Sequence, residues 1–164
     1  MKIDDDHMYH GAALIQIAEH PAFTAINSAK FRGATLENTF QVNLNATIHL
    51  KYAVQPKKPY SEYVFNFQKH HIAMLQGLAH HPTVFIGLAC VKGREICCIP
   101  FEKLKELIAI RESEKGSAED QYTLLVTLPK GKQFRVYMNA PGKRNAALGR
   151  FTVPRNNFPE CIFS

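Results

Sequence analysis

Apolar and polar residues alternate with a period of two over much of this chain, and with a helical period in three places. Between 39 and 44, Phe40, Val42 and Leu44 point one way while Gln41 and Asn43 point the other; between 48 and 52, Ile48, Leu50 and Tyr52 alternate with His49 and Lys51. Matching apolar to apolar across an antiparallel pair sets Leu44 against Ile48 and Val42 against Leu50. Asn43 then faces His49, Gln41 faces Lys51, and residues 45–47 become a three-residue turn. The same alternation predicts strands over 63–67, 95–99, 122–128 and 133–138, with shorter ones over 23–26 and 151–154. Residues 83–91 are almost all apolar, the mark of a central strand buried on both faces. Helical spacing predicts helices over 11–19, with Ala12, Leu14, Ile15, Ile17 and Ala18 as the apolar face, over 68–80, and over 101–111. The polar, Gly- and Ser-containing stretch 112–120 reads as a mobile loop, and 140–149 as a basic loop.

Three helices and about eight strands give an α+β fold, a mixed central sheet flanked by helices with a basic C-terminal hairpin. At 164 residues a single domain over 1–164 is expected, with a core large enough to stand alone. A content of 46% hydrophobic and 21% charged residues is that of an ordinary globular protein. The longest apolar runs are too short to cross a bilayer. The start, Met1-Lys2-Ile3-Asp4-Asp5-Asp6, has neither the basic end nor the apolar stretch of a signal peptide, which points to the cytoplasm and away from a membrane. Cys90, Cys97, Cys98 and Cys161 form no CxxC pair, and the first three lie in apolar strands, so they read as reduced core residues rather than zinc ligands.

Charge changes the picture. Residues 1–120 carry thirteen Lys/Arg against thirteen Asp/Glu, whereas 121–159 carry seven Lys/Arg and no acid. The net charge of +6 therefore sits in the C-terminal quarter, where it sets up a local positive field suited to a polyanion. Lys130 and Lys132 fall at the tip of the last hairpin and Arg135 on its polar face beside Tyr137, with Lys143, Arg144 and Arg150 on the adjoining loop. Those six are the candidate phosphate clamps over 121–155, and the expected partner is nucleic acid, DNA or RNA. An acidic protein is the other partner such a face would take, which would make the chain a non-catalytic interaction module of the immunity or inhibitor type. No P-loop or GxGxxG pattern is present, so no nucleotide cofactor is expected.

The candidate chemistry lies in the other half. A helix carries Glu19 near its end, and the following hairpin presents Asn43, His49 and Lys51 on one polar face. This arrangement, over residues 1–100, resembles the core of the PD-(D/E)XK nucleases. In that family a helix supplies a Glu, one strand an Asp, and the next strand an acid-x-Lys pair whose members share a face. The resemblance implies a nuclease-like site with Glu19, Asn43, His49 and Lys51 as its catalytic residues. It further implies Mg2+ or Mn2+ held by Glu19 and His49, with Lys51 positioning water or transition-state charge. Two positions depart from the pattern: His49 stands where the family has an acid, and Asn43 where it has Asp. Among the other histidines, His70-His71 and His80-His81 lie at opposite ends of one expected helix, about 15 Å apart, too far to share a metal. His7 and His10, beside Asp4 to Asp6, read as a frayed N-terminus.

Overall fold

In the computed structural model, which describes residues 1–44, 46–78 and 83–164, the elements run α1 (Asp5–Ala18), β1 (Ile26–Phe31), β2 (Ala34–Val42), β3 (Ala46–Ala53), β4 (Tyr63–Gln68), α2 (Lys69–Leu78), β5 (Thr83–Cys90), β6 (Glu95–Pro100), α3 (Phe101–Lys115), β7 (Gln121–Thr127), β8 (Phe134–Asn139) and β9 (Ala147–Val153), before a short 3-10 turn (Glu160–Ile162). The strands form a five-stranded sheet in the order β1-β2-β3-β5-β6 and a four-stranded sheet in the order β4-β7-β8-β9. Strands β3 and β5 pair in parallel and the remaining neighbours are antiparallel. The fold is α+β with a mixed sheet, and the apolar segment 83–90 is an interior strand.

One face of the larger sheet, with Ile48, Leu50, Ile96 and Cys98, packs beneath Ala13 and Ile17 of α1 and against Phe158 and Ile162 from the C-terminus. The opposite face, with Ile86, Leu88, Cys97 and Ile99, meets Phe65, Phe67, Leu124, Val126, Phe134 and Val136 of the smaller sheet and Leu104 and Leu107 of α3. Cys90, Cys97 and Cys98 are buried free thiols within these layers, and burial pushes the Cys90 thiol up to about 12.

Gly87 sits in β5 opposite Leu50, where a Cβ would lie 2.8 Å from Leu50 Cδ2 and 3.0 Å from Ile48 Cδ1. Gly87→Ala is expected to overpack this layer and cost about 1–3 kcal/mol. A urea-midpoint comparison checks this, and an unchanged midpoint would show the layer to be loosely packed.

Several expectations are corrected. Helix α1 begins at Asp5, because Asp4 and His7 form a capping box: His7 N–H donates to Asp4 Oδ1 at 3.0 Å and Asp4 N–H to His7 Nδ1 at 3.1 Å. Its buried stripe is His10, Ala13 and Ile17, while Ile15 is exposed. The first strand runs over Ile26–Phe31 rather than 23–26. Segment 112–120 is not a free loop, since α3 continues to Lys115 and the segment after it is tied down. Arg111 and Lys115 both clamp Glu119, and Tyr122 donates its hydroxyl proton to Glu112. The last strand starts at Ala147 and takes up part of the expected basic loop.

Candidate functional site

His49 and Lys51, two residues apart on β3, share the face of the larger sheet that carries Ile86 and Leu88. The other two members of the expected catalytic set stand elsewhere. The β2–β3 register is Phe40 with Ile48 and Thr39 with His49, so β2 ends at Val42 and Leu44 is exposed in the turn. Asn43 sits in that turn at φ 53° and is spent on structure. Its Oδ1 accepts from Thr24 N–H and Oγ1–H, both at 2.8 Å, and from Ala25 N–H at 3.2 Å, while its Nδ2 donates to Ala22 O at 2.8 Å. Glu19 is exposed at the C-cap of α1 and does not line the space that His49 and Lys51 line. Asn43→Ala is expected to cost about 1–3 kcal/mol, as a left-handed residue tolerated by Asn loses its hydrogen bonds. Thermal unfolding checks the loss, and an unchanged midpoint would mean that the turn holds itself without the amide.

What His49 and Lys51 line is a cleft of about 390 Å³, with Asp6, His10, Glu37, Asn38, Thr39, Tyr52 and His71 around it. It opens where the sheet splits. Strand β2 leaves β3 after the Thr39–His49 pair, so β3 from Leu50 onward has no strand partner on that side among the described residues. Residues from both faces of β3 thereby reach one space. His10 Nδ1 lies 3.1 Å from Asn38 Oδ1 and His49 Nδ1 lies 2.8 Å from Thr39 Oγ1. Burial, followed by the nearby Lys51 charge, pushes the His49 pKa down to about 3. Burial also lowers His10, His71 and Lys51. The Lys51 ammonium lies 4.9 Å from the Phe67 ring centre and makes no ion pair among the described residues. His70 packs beside His71, ring centres 4.1 Å apart; the pair at 80 and 81 lies outside the described residues.

This donor set does not suit Mg2+, which takes oxygen ligands. The cleft holds neutral imidazoles around an ammonium, and its two carboxylates, Asp6 and Glu37, are both exposed. Among the described residues no group of three or more His, Cys, Asp or Glu is placed to hold a metal ion.

The second candidate lies on the outer face of the smaller sheet. Its four strands contain Arg135 and Arg150 and no Asp or Glu. Arg135, half-buried, and Tyr137, buried, lie on the face of β8 opposite the core residues Phe134, Val136 and Met138. Pairing of β8 with β9 is interrupted between Val136 and Met138, where Gly149 and Arg150 together oppose Tyr137. Gly149 has φ 60°, and a Cβ there would lie 2.7 Å from Leu107 Cδ2. At this bulge Arg150 lines the same groove as Tyr137. Arg135, Tyr137 and Arg150 line a groove of about 470 Å³ that reaches from Ser61, Leu128 and Pro129 to Asn145 and Ala147, with Tyr60 40% exposed at its wall. The Tyr137 hydroxyl donates to the buried Glu62 carboxylate, which fixes the floor. Lys130 and Lys132 flank one end of β8, and Lys143 and Arg144 the other. None of these six cations is in an ion pair among the described residues. Arg155, the seventh, is held instead by Glu95 and by the carbonyls of Lys132 and Pro129.

No family model, curated protein or solved structure matches this chain.

The residues missed in the sequence are those brought in by packing. His10, Asn38, Thr39 and His71 line the first cleft from three elements, and Tyr60 reaches the second from the connection before β4. The buried His10 on the helix stripe was the one available signal, since a histidine among apolar positions must find a partner.

Proposed function

We propose that this protein binds nucleic acid along the groove over β8, through its phosphate backbone. The observation that carries the reading is the meeting of Arg135 and Arg150, both without an ion-pair partner among the described residues, in a groove over strands that contain no Asp or Glu, with the Glu62 carboxylate buried beneath it on the Tyr137 hydroxyl. Six strand residues span about 20 Å, a positive track along which successive phosphates of one strand can lie. The lysines and Arg144 at the two ends of β8 extend the positive track. Guanidinium groups suit phosphate oxygens because two parallel N–H donors meet two oxygens. The exposed Tyr60 ring offers a surface on which a base can stack.

The nuclease-like reading draws support from the His49–Lys51 pair alone, because Glu19 and Asn43 stand apart from it. Binding is therefore expected to need no divalent metal. Fluorescence anisotropy with labelled single- and double-stranded DNA and RNA at low salt, with chelator, magnesium or manganese, tests both points. Expected is binding equal in chelator and in metal, with no cleavage that depends on metal. Absence of binding to all four would overturn the proposal and leave an acidic protein as the partner to seek. Metal-dependent cleavage lost in Lys51→Ala would restore the nuclease assignment.

A further inference from the structure

The protonation of the cleft between β2 and β3 follows from its hydrogen bonds. Thr39 has one hydroxyl proton, and it is donated to the carbonyl of Glu37 at 2.8 Å. Thr39 Oγ1 can then only accept from His49 Nδ1, 2.8 Å away. A neutral His49 thus carries its proton on Nδ1 and a lone pair on Nε2. His10 repeats the pattern, its Nδ1 donating to Asn38 Oδ1 at 3.1 Å. His10 is only 5% exposed, and its Nε2 is buried with no hydrogen-bond partner among the described residues. A buried acceptor left this way bears the cost of its lost hydration and is closed to anything entering the cleft.

The cleft therefore offers one reachable acceptor nitrogen, His49 Nε2, beside the Lys51 ammonium, which has no ion pair among the described residues. A bare anion would gain from Lys51 but meet only a lone pair at His49 Nε2. The fitting ligand carries a hydroxyl donor next to an anionic group. Asp6 and Glu37 at the mouth are exposed, so water and salt screen them, and they too accept from hydroxyls. Within nucleic acid, this combination is the ribose 2′-hydroxyl beside its phosphate, which DNA lacks.

We propose that the cleft reads RNA, with His49 Nε2 accepting the proton of a ribose 2′-hydroxyl and Lys51 Nζ meeting the adjacent phosphate. This rests on the nucleic-acid reading above and adds the sugar that is recognised.

The test is anisotropy with three strands of one sequence: RNA, DNA, and RNA methylated at every 2′-oxygen, which keeps the bases and phosphates and removes the donor. The wild-type protein is expected to bind RNA about fivefold more tightly than either of the others, the worth of one neutral hydrogen bond. His49→Phe is expected to bring RNA down to the affinity of the methylated strand. Should that variant fail to fold, nitrogen-15 NMR of the wild-type histidines gives the answer: His49 Nε2 should resonate as an unprotonated nitrogen and shift with RNA but not with methylated RNA. Equal affinity for all three strands would overturn RNA reading while leaving nucleic-acid binding intact. No binding to any of them would overturn both.

Discussion

Acidification should destabilise this protein steeply from about pH 6.5 downward, and His49→Phe should flatten that loss. His49 is held in the larger sheet's cleft, where burial first, and then the positive fields of Lys51, His71 and His10, lower its pKa from 6.5 to about 3. Between those values the unfolded chain binds a proton that the folded chain refuses, so stability rises with pH across the window. The contribution is complete above about pH 6.5 and is lost as pH falls toward 3. One such group changes stability by about 1.4 kcal/mol per pH unit inside its window. His10 and His71 are shifted in the same direction, so some slope should remain in the variant. Asp6 on α1 and Glu37 on β2, the acids at the cleft mouth, act in the opposite direction on His10 and His71 respectively. Urea unfolding at pH 7, 6 and 5 separates the histidine effect from most carboxylate titration. A His49→Phe slope equal to the wild-type slope would show that the imidazole protonates freely in the folded state.

The second large effect belongs to the groove. Arg135→Gln with Arg150→Gln should weaken nucleic-acid binding by about 100-fold, taking about 1.5 kcal/mol for each charged hydrogen bond lost. It should also reduce the salt slope on a single strand by about 1.4. Stability should change little. Arg150 is exposed and Arg135 half-buried, and neither is in an ion pair among the described residues. Arg155→Gln gives the contrasting result, because Arg155 ties Glu95 to the carbonyls of Pro129 and Lys132; it should lower stability and leave binding alone once folded. Equal binding by wild type and the double variant would remove the groove from the interface.

The elements with strong alternation, β3 to β8, were legible in the sequence, as was the placement of His49 and Lys51 on one face. The β2–β3 register was not. The expected and observed pairings both set apolar against apolar, Leu44 with Ile48 in one and Phe40 with Ile48 in the other. A shift that preserves the two-residue period leaves every face unchanged, so pattern alone cannot choose. The left-handed Asn43 and its bonds to 22–25 choose it, and these are tertiary facts. The first strand, Ile26–Phe31, was hidden because Asn27, Ser28 and Lys30 dilute its alternation. Charge segregation announced the basic surface. The groove itself depends on the Gly149–Arg150 bulge and on Tyr60 arriving from before β4, neither of which local pattern encodes.

Salt dependence of binding is the most direct measurement of the central claim. A labelled single strand titrated with protein between 50 and 200 mM salt, in chelator, should show log K falling against log salt with a slope of about −4 for six phosphates neutralised on a single strand. Strong binding with a slope near zero, or no binding at 50 mM, would contradict a phosphate-backbone interface on the β8 face.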